Sequence, residues 1–182
     1  MVEKWTTLRS TLVLDNPWCR VRRDEVQLPN GTVIDDFYVI VRPDIALVLP
    51  ITPDDHVLFV RQYRHGVGKI LLELPAGSFD STCEDAEAAV LRELQEETGY
   101  TSDRLTLLAT LYDNPVKDTN RIHLFRADQV QQISGQSLDV TEAIDLVLIP
   151  IPDIPHYVAT GEICVAGTLA ALSLGLGLSF AI

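Results

Sequence analysis

Arg92-Glu93-Leu94-Gln95-Glu96-Glu97-Thr98-Gly99-Tyr100 sets three carboxylates within about one and a half turns of an expected helix. Residues three and four apart share a helix face, so Glu93 and Glu97 stack and Glu96 lies beside them. Like charges at that spacing repel, and an ordinary solvated helix has no reason to crowd them. A bound divalent cation would turn the repulsion into coordination. Hard ions such as Mg²⁺ take oxygen ligands, often one or two carboxylates completed by substrate phosphates. Arg92 and Glu96, at i and i+4, can pair and orient one carboxylate. Further back, Ala86, Val90 and Leu94 recur at every fourth position and supply the buried face. Ser81 reads as the N-cap, with Glu84 three residues on completing a capping box. Gly99 closes the helix where a left-handed residue costs least.

Outward from this helix the flanks read as strands. Over residues 8–43, Trp18-Cys19-Arg20-Val21-Arg22 and Glu25-Val26-Gln27-Leu28 flank a polar break. Pro29-Asn30-Gly31-Thr32 is a hairpin signal leading into Val33-Ile34 and Phe37-Tyr38-Val39-Ile40-Val41. Pro43-Asp44 breaks the run, which makes 1–43 an N-terminal antiparallel strand extension and 44–182 the main domain. Residues 45–51 and 56–63 read as strands about the turn Thr52-Pro53-Asp54-Asp55. Leu71-Leu72-Glu73-Leu74 is a short strand ending at Pro75-Ala76-Gly77. Downstream, 105–112, 121–127 and 144–149 read as strands, 152–161 as a turn with a short helix, and an apolar helix comes last. Strands mixed with helices, not strictly alternating, predict an α/β (α+β) fold with a mixed β-sheet sandwiched between α-helices.

A chain of 182 residues suffices for one domain with a real core and a small accessory unit. Its 47% apolar and 22% charged content are ordinary globular values. The formal net charge of −12 argues against a nucleic-acid partner and offers no basic patch to a membrane. A polyanionic substrate must then be received by a local cationic pocket or by metal. Cys19, Cys83 and Cys164 are scattered and form no C-x-x-C. That suits a reducing cytoplasm rather than a disulfide framework or a zinc site. The N-terminus carries no apolar signal segment. The twenty residues 163–182 carry no charge, a length that could span a membrane. Gly167, Thr168, Ser173, Gly175, Gly177 and Ser179 dilute the apolarity and no basic flank follows. The run is therefore expected to be a buried helix or a subunit contact. Leu174-Gly175-Leu176-Gly177-Leu178 lacks the third glycine of a dinucleotide fingerprint.

Gly77, Glu84 and the stretch from Arg92 to Tyr100 together resemble the Nudix box. Seven residues separate Glu84 from Arg92, as the family requires, and Arg92 to Tyr100 fits throughout. The first spacer departs: six residues lie between Gly77 and Glu84, one more than usual. The extra residue lengthens the loop entering the helix and leaves the Glu93, Glu96 and Glu97 face untouched. Val60-Arg61-Gln62-Tyr63-Arg64-His65, Glu73-Leu74-Pro75-Ala76-Gly77 and the early Pro29-Asn30-Gly31 strand pair are similar to the ADP-ribose pyrophosphatase branch. So is Pro115, fifteen residues past Tyr100, although Asn114-Pro115-Val116 stands where many members have Ser-Pro-Gly.

The resemblance implies the Nudix fold and metal-dependent hydrolysis, with Mg²⁺ first and Mn²⁺ as the other candidate cation. The bond cleaved would be the pyrophosphate of ADP-ribose or a related nucleoside diphosphate sugar, giving nucleoside monophosphate and sugar phosphate. It implies that Glu93 and Glu97 bind metal directly, that the Ala76 carbonyl completes the site, and that Glu96 ligates or bridges through water. Arg92 would orient the glutamates. The base would come from an acidic loop after the core strands, where Glu142 sits; Asp145 competes, and Glu96 or Glu93 could serve instead. Arg61 and Arg64 are candidates for phosphate, where guanidinium groups bind bidentately, against surface pairing in an acidic chain. Phe37 and Tyr38 are candidates to stack on adenine, against core packing. Glu73 is a candidate for a sugar or base amine, against pairing at the core edge, and the Pro115 loop for sugar selection. His65 and His123 lack metal spacing and read as structural. The branch commonly pairs or swaps its N-terminal strands, so a homodimer is expected. Two other readings remain: GDP-mannose or another sugar nucleotide as substrate, favoured by the loop 114–121, and a non-catalytic ADP-ribose sensor. The presence of all of Glu93, Glu96 and Glu97 speaks against the sensor.

Overall fold

The computed structural model describes residues 1–179. The chain divides into two compact units: 1–43 with 112–121, and 44–111 with the chain from 122 onward.

In the first unit, β1 (Thr6–Asn16), β2 (Cys19–Gln27) and β3 (Val33–Val41) form an antiparallel sheet in that order. The Asn16 side chain accepts from the N–H groups of Trp18 (3.0 Å) and Cys19 (2.8 Å), which is how a short Asx turn closes a hairpin. The second turn is the expected Pro29–Thr32 signal. Gly31 takes φ +86°, and the Leu28 N–H donates to Thr32 O at 2.8 Å. The polar break expected within 18–28 does not interrupt the strand. Asp24 is buried but satisfied, accepting from Ser10 Oγ (2.6 Å) and Arg22 Nε (2.9 Å), so β2 runs through with a bulge at that point. The segment 112–121 lies along β3: the Ile40 N–H donates to Lys117 O at 2.8 Å and the Thr119 N–H to Ile40 O at 3.2 Å.

The second unit carries β4 (Asp44–Ile51), β5 (His56–Arg64), β6 (Lys69–Glu73), β7 (Ala76–Phe79), α1 (Ala86–Thr98), β8 (Tyr100–Thr101), β9 (Arg104–Tyr112), β10 (Arg121–Asp128), β11 (Gln131–Gln132), β12 (Ile144–Pro150), α2 (Ile154–Ala159) and α3 (Ala166–Leu176). The main sheet runs β12-β5-β4-β10-β9, with β6 added to β5 and β7 to β4. β10 is parallel to β4, whereas β12 and β6 are antiparallel to β5. Side chains alternate along β4. Ala46 and Val48 pack toward Ala89, Val90 and Leu94 of α1, while Leu47, Leu49 and Ile51 join the second core cluster with Ala171 and Leu172 of α3 and Ile154 of α2. Helices thus cover both faces of a mixed sheet, as the pattern predicted.

Two local expectations fail. Ser81 does not cap α1. Asp80 forms its own turn, accepting from the Thr82 N–H (2.9 Å) and Thr82 Oγ1 (2.7 Å) while its carbonyl accepts from the N–H groups of Cys83 and Glu84. The cap is Asp85, whose carboxylate accepts from the Ala88 N–H at 2.8 Å. The turn absorbs the extra residue and leaves Glu84 outside the helix. Second, the short strand does end before Pro75, as β6, but Ala76-Gly77 open a further, unexpected strand, β7, paired with Leu47 and Ala46 of β4. At the C-terminus, α3 packs as a core helix. Thr168 is buried and accepts from the Leu74 N–H at 3.1 Å, and a Cβ at Gly175 would overlap Leu49. Among the described residues no helix is long and apolar enough to cross a membrane. The last three residues of the apolar run lie outside the described residues.

Candidate active site

The site is built where α1 meets β7. Gly77 lies so close to α1 that a Cβ there would overlap the Glu93 carboxylate, which would have to move aside. One residue earlier, the Ala76 N–H donates to Glu97 Oε2 at 3.2 Å. Pairing of β7 with β4 holds this backbone rigidly against the helix.

Arg92 organises the outer side. Its Nε and Nη2 grip Glu84 at 3.0 and 3.1 Å, a bidentate pair, and its Nη1 donates to Glu93 (2.8 Å) and Glu96 (3.0 Å). These bonds push the guanidinium's ionisation still further up, with Glu84 the leading cause. Glu84 therefore serves Arg92, in place of the expected capping box.

Glu97 stands apart. It is 4% exposed, and its carboxyl is raised to about 8, first by burial and then by the Glu93 charge. The Ala76 N–H and Arg64 oppose that shift, and Glu142 adds to it. Glu93 is also raised, by burial first, with Arg92 pulling the other way and Glu96 and Glu142 adding to the rise. Glu142, half-buried, is thus electrically part of the cluster. Its own carboxylate accepts from the Asp139 N–H at 2.9 Å.

These residues fit a hard divalent cation. Glu97 is a buried carboxylate short of positive charge, and the glycine contact brings Glu93 against the β7 backbone. Among the described residues, no three His, Cys, Asp or Glu side chains converge to enclose an ion, because Arg92 draws Glu93 and Glu96 to itself. The fit is therefore to two carboxylates and a backbone group, with the remaining positions left to substrate oxygens and water.

The other expected residues scatter. Arg64 donates to buried Glu73 at 2.7 Å, and both line a cavity of about 630 Å³ with Lys69, Leu71 and Val165. Arg61 is three residues back on β5, hence on the opposite face. It stands opposite Asp145 of β12 and borders a cavity of about 190 Å³ that adjoins the first, sharing Lys69, Leu71 and Cys164 with it. Only Arg64 of the pair acts on Glu97. Phe37, Tyr38 and Pro115 belong to the first unit. Phe37 packs edge-on to Trp5 at 5.6 Å, with Lys117 Nζ 5.2 Å from its ring centre, while Tyr38 is exposed. His123 ties β10 to β4 through Asp44 at 3.3 Å, and His65 stacks edge-on to Tyr63.

Sequence reasoning missed the contacts of the loop 133–143. Its N–H groups reach the end of α1: Ser137 donates to Glu96 O at 2.8 Å and Ile133 to Gly99 O at 2.9 Å. No local pattern announces such bonds, although a helix end always leaves carbonyls to be satisfied.

Residues 41–162 match the family described as the NUDIX domain, and 5–40 match the nucleoside diphosphate sugar hydrolase N-terminal domain. The chain is a Nudix hydrolase. It is 29% identical to the ADP-ribose pyrophosphatase of Bacillus subtilis over 150 residues, covering 82% of this chain and 80% of that one. It is 28% identical to the methanol dehydrogenase activator of Bacillus methanolicus over 167 residues, 91% of this chain and 89% of the other. A crystal structure of an ADP compounds hydrolase superposes with a TM-score of 0.83 over 97% of this chain and 95% of that one, at 24% identity, a likeness of fold. As a Nudix hydrolase this chain keeps Arg92, Glu93, Glu96 and Glu97, and takes up its extra spacer residue in the Asp80 turn.

Proposed function

We propose that this Nudix hydrolase cleaves the pyrophosphate bond of ADP-ribose or a related nucleoside diphosphate sugar, using Mg²⁺ or Mn²⁺. The observation that carries the reading is Glu97, buried beside Glu93 with no ion pair among the described residues and with the Arg64 charge only partly offsetting its burial. A bound divalent ion would neutralise the diphosphate, polarise a phosphoryl oxygen and acidify a water. Glu93, Glu97 and the Ala76 backbone would hold it, with Glu96 in contact directly or through water. Ligation needs carboxylates in the ionised form, so Glu97 would hold a cation only after giving up its proton.

The chain's own groups do the rest. Arg92 holds Glu93 and Glu96 in orientation. Arg64 donates to a phosphoryl oxygen from the cavity edge, and Glu73 fixes its guanidinium. Glu142 accepts the proton of the attacking water after leaving the Asp139 N–H. Asp145 is the weaker candidate for that role, being exposed and in cross-strand register with Arg61. Arg61, Phe37, Tyr38 and Pro115 remain assigned to substrate on the resemblance alone.

We also propose a homodimer. The edge strand β1 exposes Leu8, Leu12, Val13 and Leu14, a patch suited to a second copy. Three free, exposed cysteines support work in the cytoplasm. The acidic charge supports neither nucleic acid nor a membrane surface as partner.

The test is AMP and GMP release from a panel of nucleoside diphosphate sugars, with Mg²⁺ and then EDTA. Metal-dependent AMP from ADP-ribose is the expected result. GMP from GDP-mannose instead would keep the mechanism and change the substrate. Tight ADP-ribose binding with no turnover would replace the enzyme by a sensor.

A further inference from the structure

The loop 133–143 leaves β11 and returns to β12, carrying Glu142 near its far end. It is fastened to α1 by backbone N–H groups at Ile133, Ser134 and Ser137, which donate to the carbonyls of Gly99 (2.9 and 3.2 Å) and Glu96 (2.8 Å). One side chain joins them. Gln136 Nε2 donates to the carbonyl of Glu97 at 2.8 Å and to the carbonyl of Ile144 at 3.2 Å. An amide nitrogen has two hydrogens, and both partners are acceptors, so the orientation of this amide is chemically determined. One acceptor belongs to the buried glutamate itself; the other lies two residues beyond Glu142, at the start of β12. Between them, Thr141 and Ala143 are exposed, and Val140 is fully so. The Glu142 segment thus has little packing of its own. What it has is a small turn, with the Glu142 N–H donating to Asp139 O at 2.9 Å and the Glu142 carboxylate accepting from the Asp139 N–H.

We propose that Gln136 is a positioning residue for the reaction, clamping both ends of the Glu142 segment to the glutamate helix and so setting the distance between Glu142 and the Glu93–Glu97 pair. The proposal rests on the reading of Glu142 as proton acceptor. In this role Gln136 would act without contacting substrate, its amide being engaged by the Glu97 and Ile144 carbonyls. It acts by limiting where the loop can go. Because Gln136 is an exposed residue, replacing it opens no cavity, and the backbone bonds of Ile133, Ser134 and Ser137 keep the loop roughly in place.

The test is a double-mutant cycle on the full chain with Mg²⁺ and ADP-ribose, measuring kcat and KM separately. Gln136→Met keeps length and loses both donors. Gln136→Glu keeps shape, loses both donors, and covers the case in which the methionine variant folds poorly by circular dichroism. Either should lower kcat by about ten- to a hundredfold with KM within about threefold, the scale of a base displaced by about 1 Å. In a Glu142→Gln background the same substitution should cost less than about twofold, since the group it positions is gone. An unchanged kcat in the single variants would overturn the proposal. So would a loss that adds in full to that of Glu142→Gln, which would make Gln136 a support of the helix only. If Glu142→Gln alone leaves kcat unchanged while hydrolysis continues, the base assignment falls and takes this inference with it. The unsubstituted chain hydrolysing nothing in the panel would overturn the functional reading beneath both.

Discussion

The two sides of helix α1 treat the same residue type in opposite ways. On the outer side Glu93 and Glu96, with Glu84 from the preceding turn, share one guanidinium, so each carboxylate has an arginine partner although the group keeps a net negative charge. On the inner side Glu97 is buried against β7 with a single N–H for company, and its carboxyl rises to about 8. Each outer carboxylate has an arginine partner, whereas the inner one has only the Ala76 N–H and the field of Arg64 to offset its burial. A carboxylate already held by arginine orients its neighbours. A carboxylate stripped of water and left without a cation stores affinity for one.

The largest effect should come from removing the unbalanced charge. Glu97→Gln should lower kcat/KM for the preferred substrate by roughly a thousandfold or more in a steady-state assay, because a charged ligand worth several kcal/mol of transition-state stabilisation is lost. A loss under tenfold would place the chemistry elsewhere. Gly77→Ala attacks the contact between the two sides. Its Cβ displaces the Glu93 carboxylate, so Mg²⁺ titrations should give an affinity lowered about 10- to 100-fold.

The comparison also has a pH signature. A carboxyl raised on folding makes the folded state hold its proton more tightly. The stability it adds is therefore fully present below the unfolded value near 4.5 and is lost as pH rises toward about 8. In EDTA, thermal unfolding should show Tm falling between pH 5 and 8.5, by an amount corresponding to roughly 4 kcal/mol at most. Glu97→Gln should remove most of that slope, and Mg²⁺ should counter it in the parent chain by binding the ionised form. A flat profile in EDTA would mean that Glu97 is already compensated. The smallest effect belongs to the side held by Arg92. Glu84→Gln breaks a partly exposed pair and should cost about 1 kcal/mol or less in denaturant unfolding, with activity kept within severalfold. A loss as large as that of Glu97→Gln would erase the distinction between the two sides.

Much of this was legible in the chain. Glu93, Glu96 and Glu97 are brought together by helical period, and Gly99 closes α1 with φ +77° as its type suggests. The hairpin at Gly31 and the strands flanking Asp54 also follow from local signals. The misreadings have a common cause. Ser81 and Glu84 form a valid capping box on paper, but Asp80 closes its own turn first and Asp85 wins the cap. Asp24 looks like a strand breaker until the Ser10 hydroxyl and the Arg22 guanidinium satisfy its carboxylate. Arg61 and Arg64 look alike in composition, yet the two-residue strand period sends them to opposite faces, and only one acts on Glu97.

By itself the sequence determined what is periodic and local: which residues line one helix face, where the helix stops, and which charges lie one turn apart. The tertiary structure alone decided which of three similar glutamates is most desolvated, that Gly77 lies against the Glu93 carboxylate, and that a glutamine 39 residues from Glu97 ties the acidic loop to the helix. The reason is physical. Periodicity is a property of neighbouring backbone dihedrals. Desolvation and close approach are properties of the space around an atom, and that space is filled by residues far away along the chain.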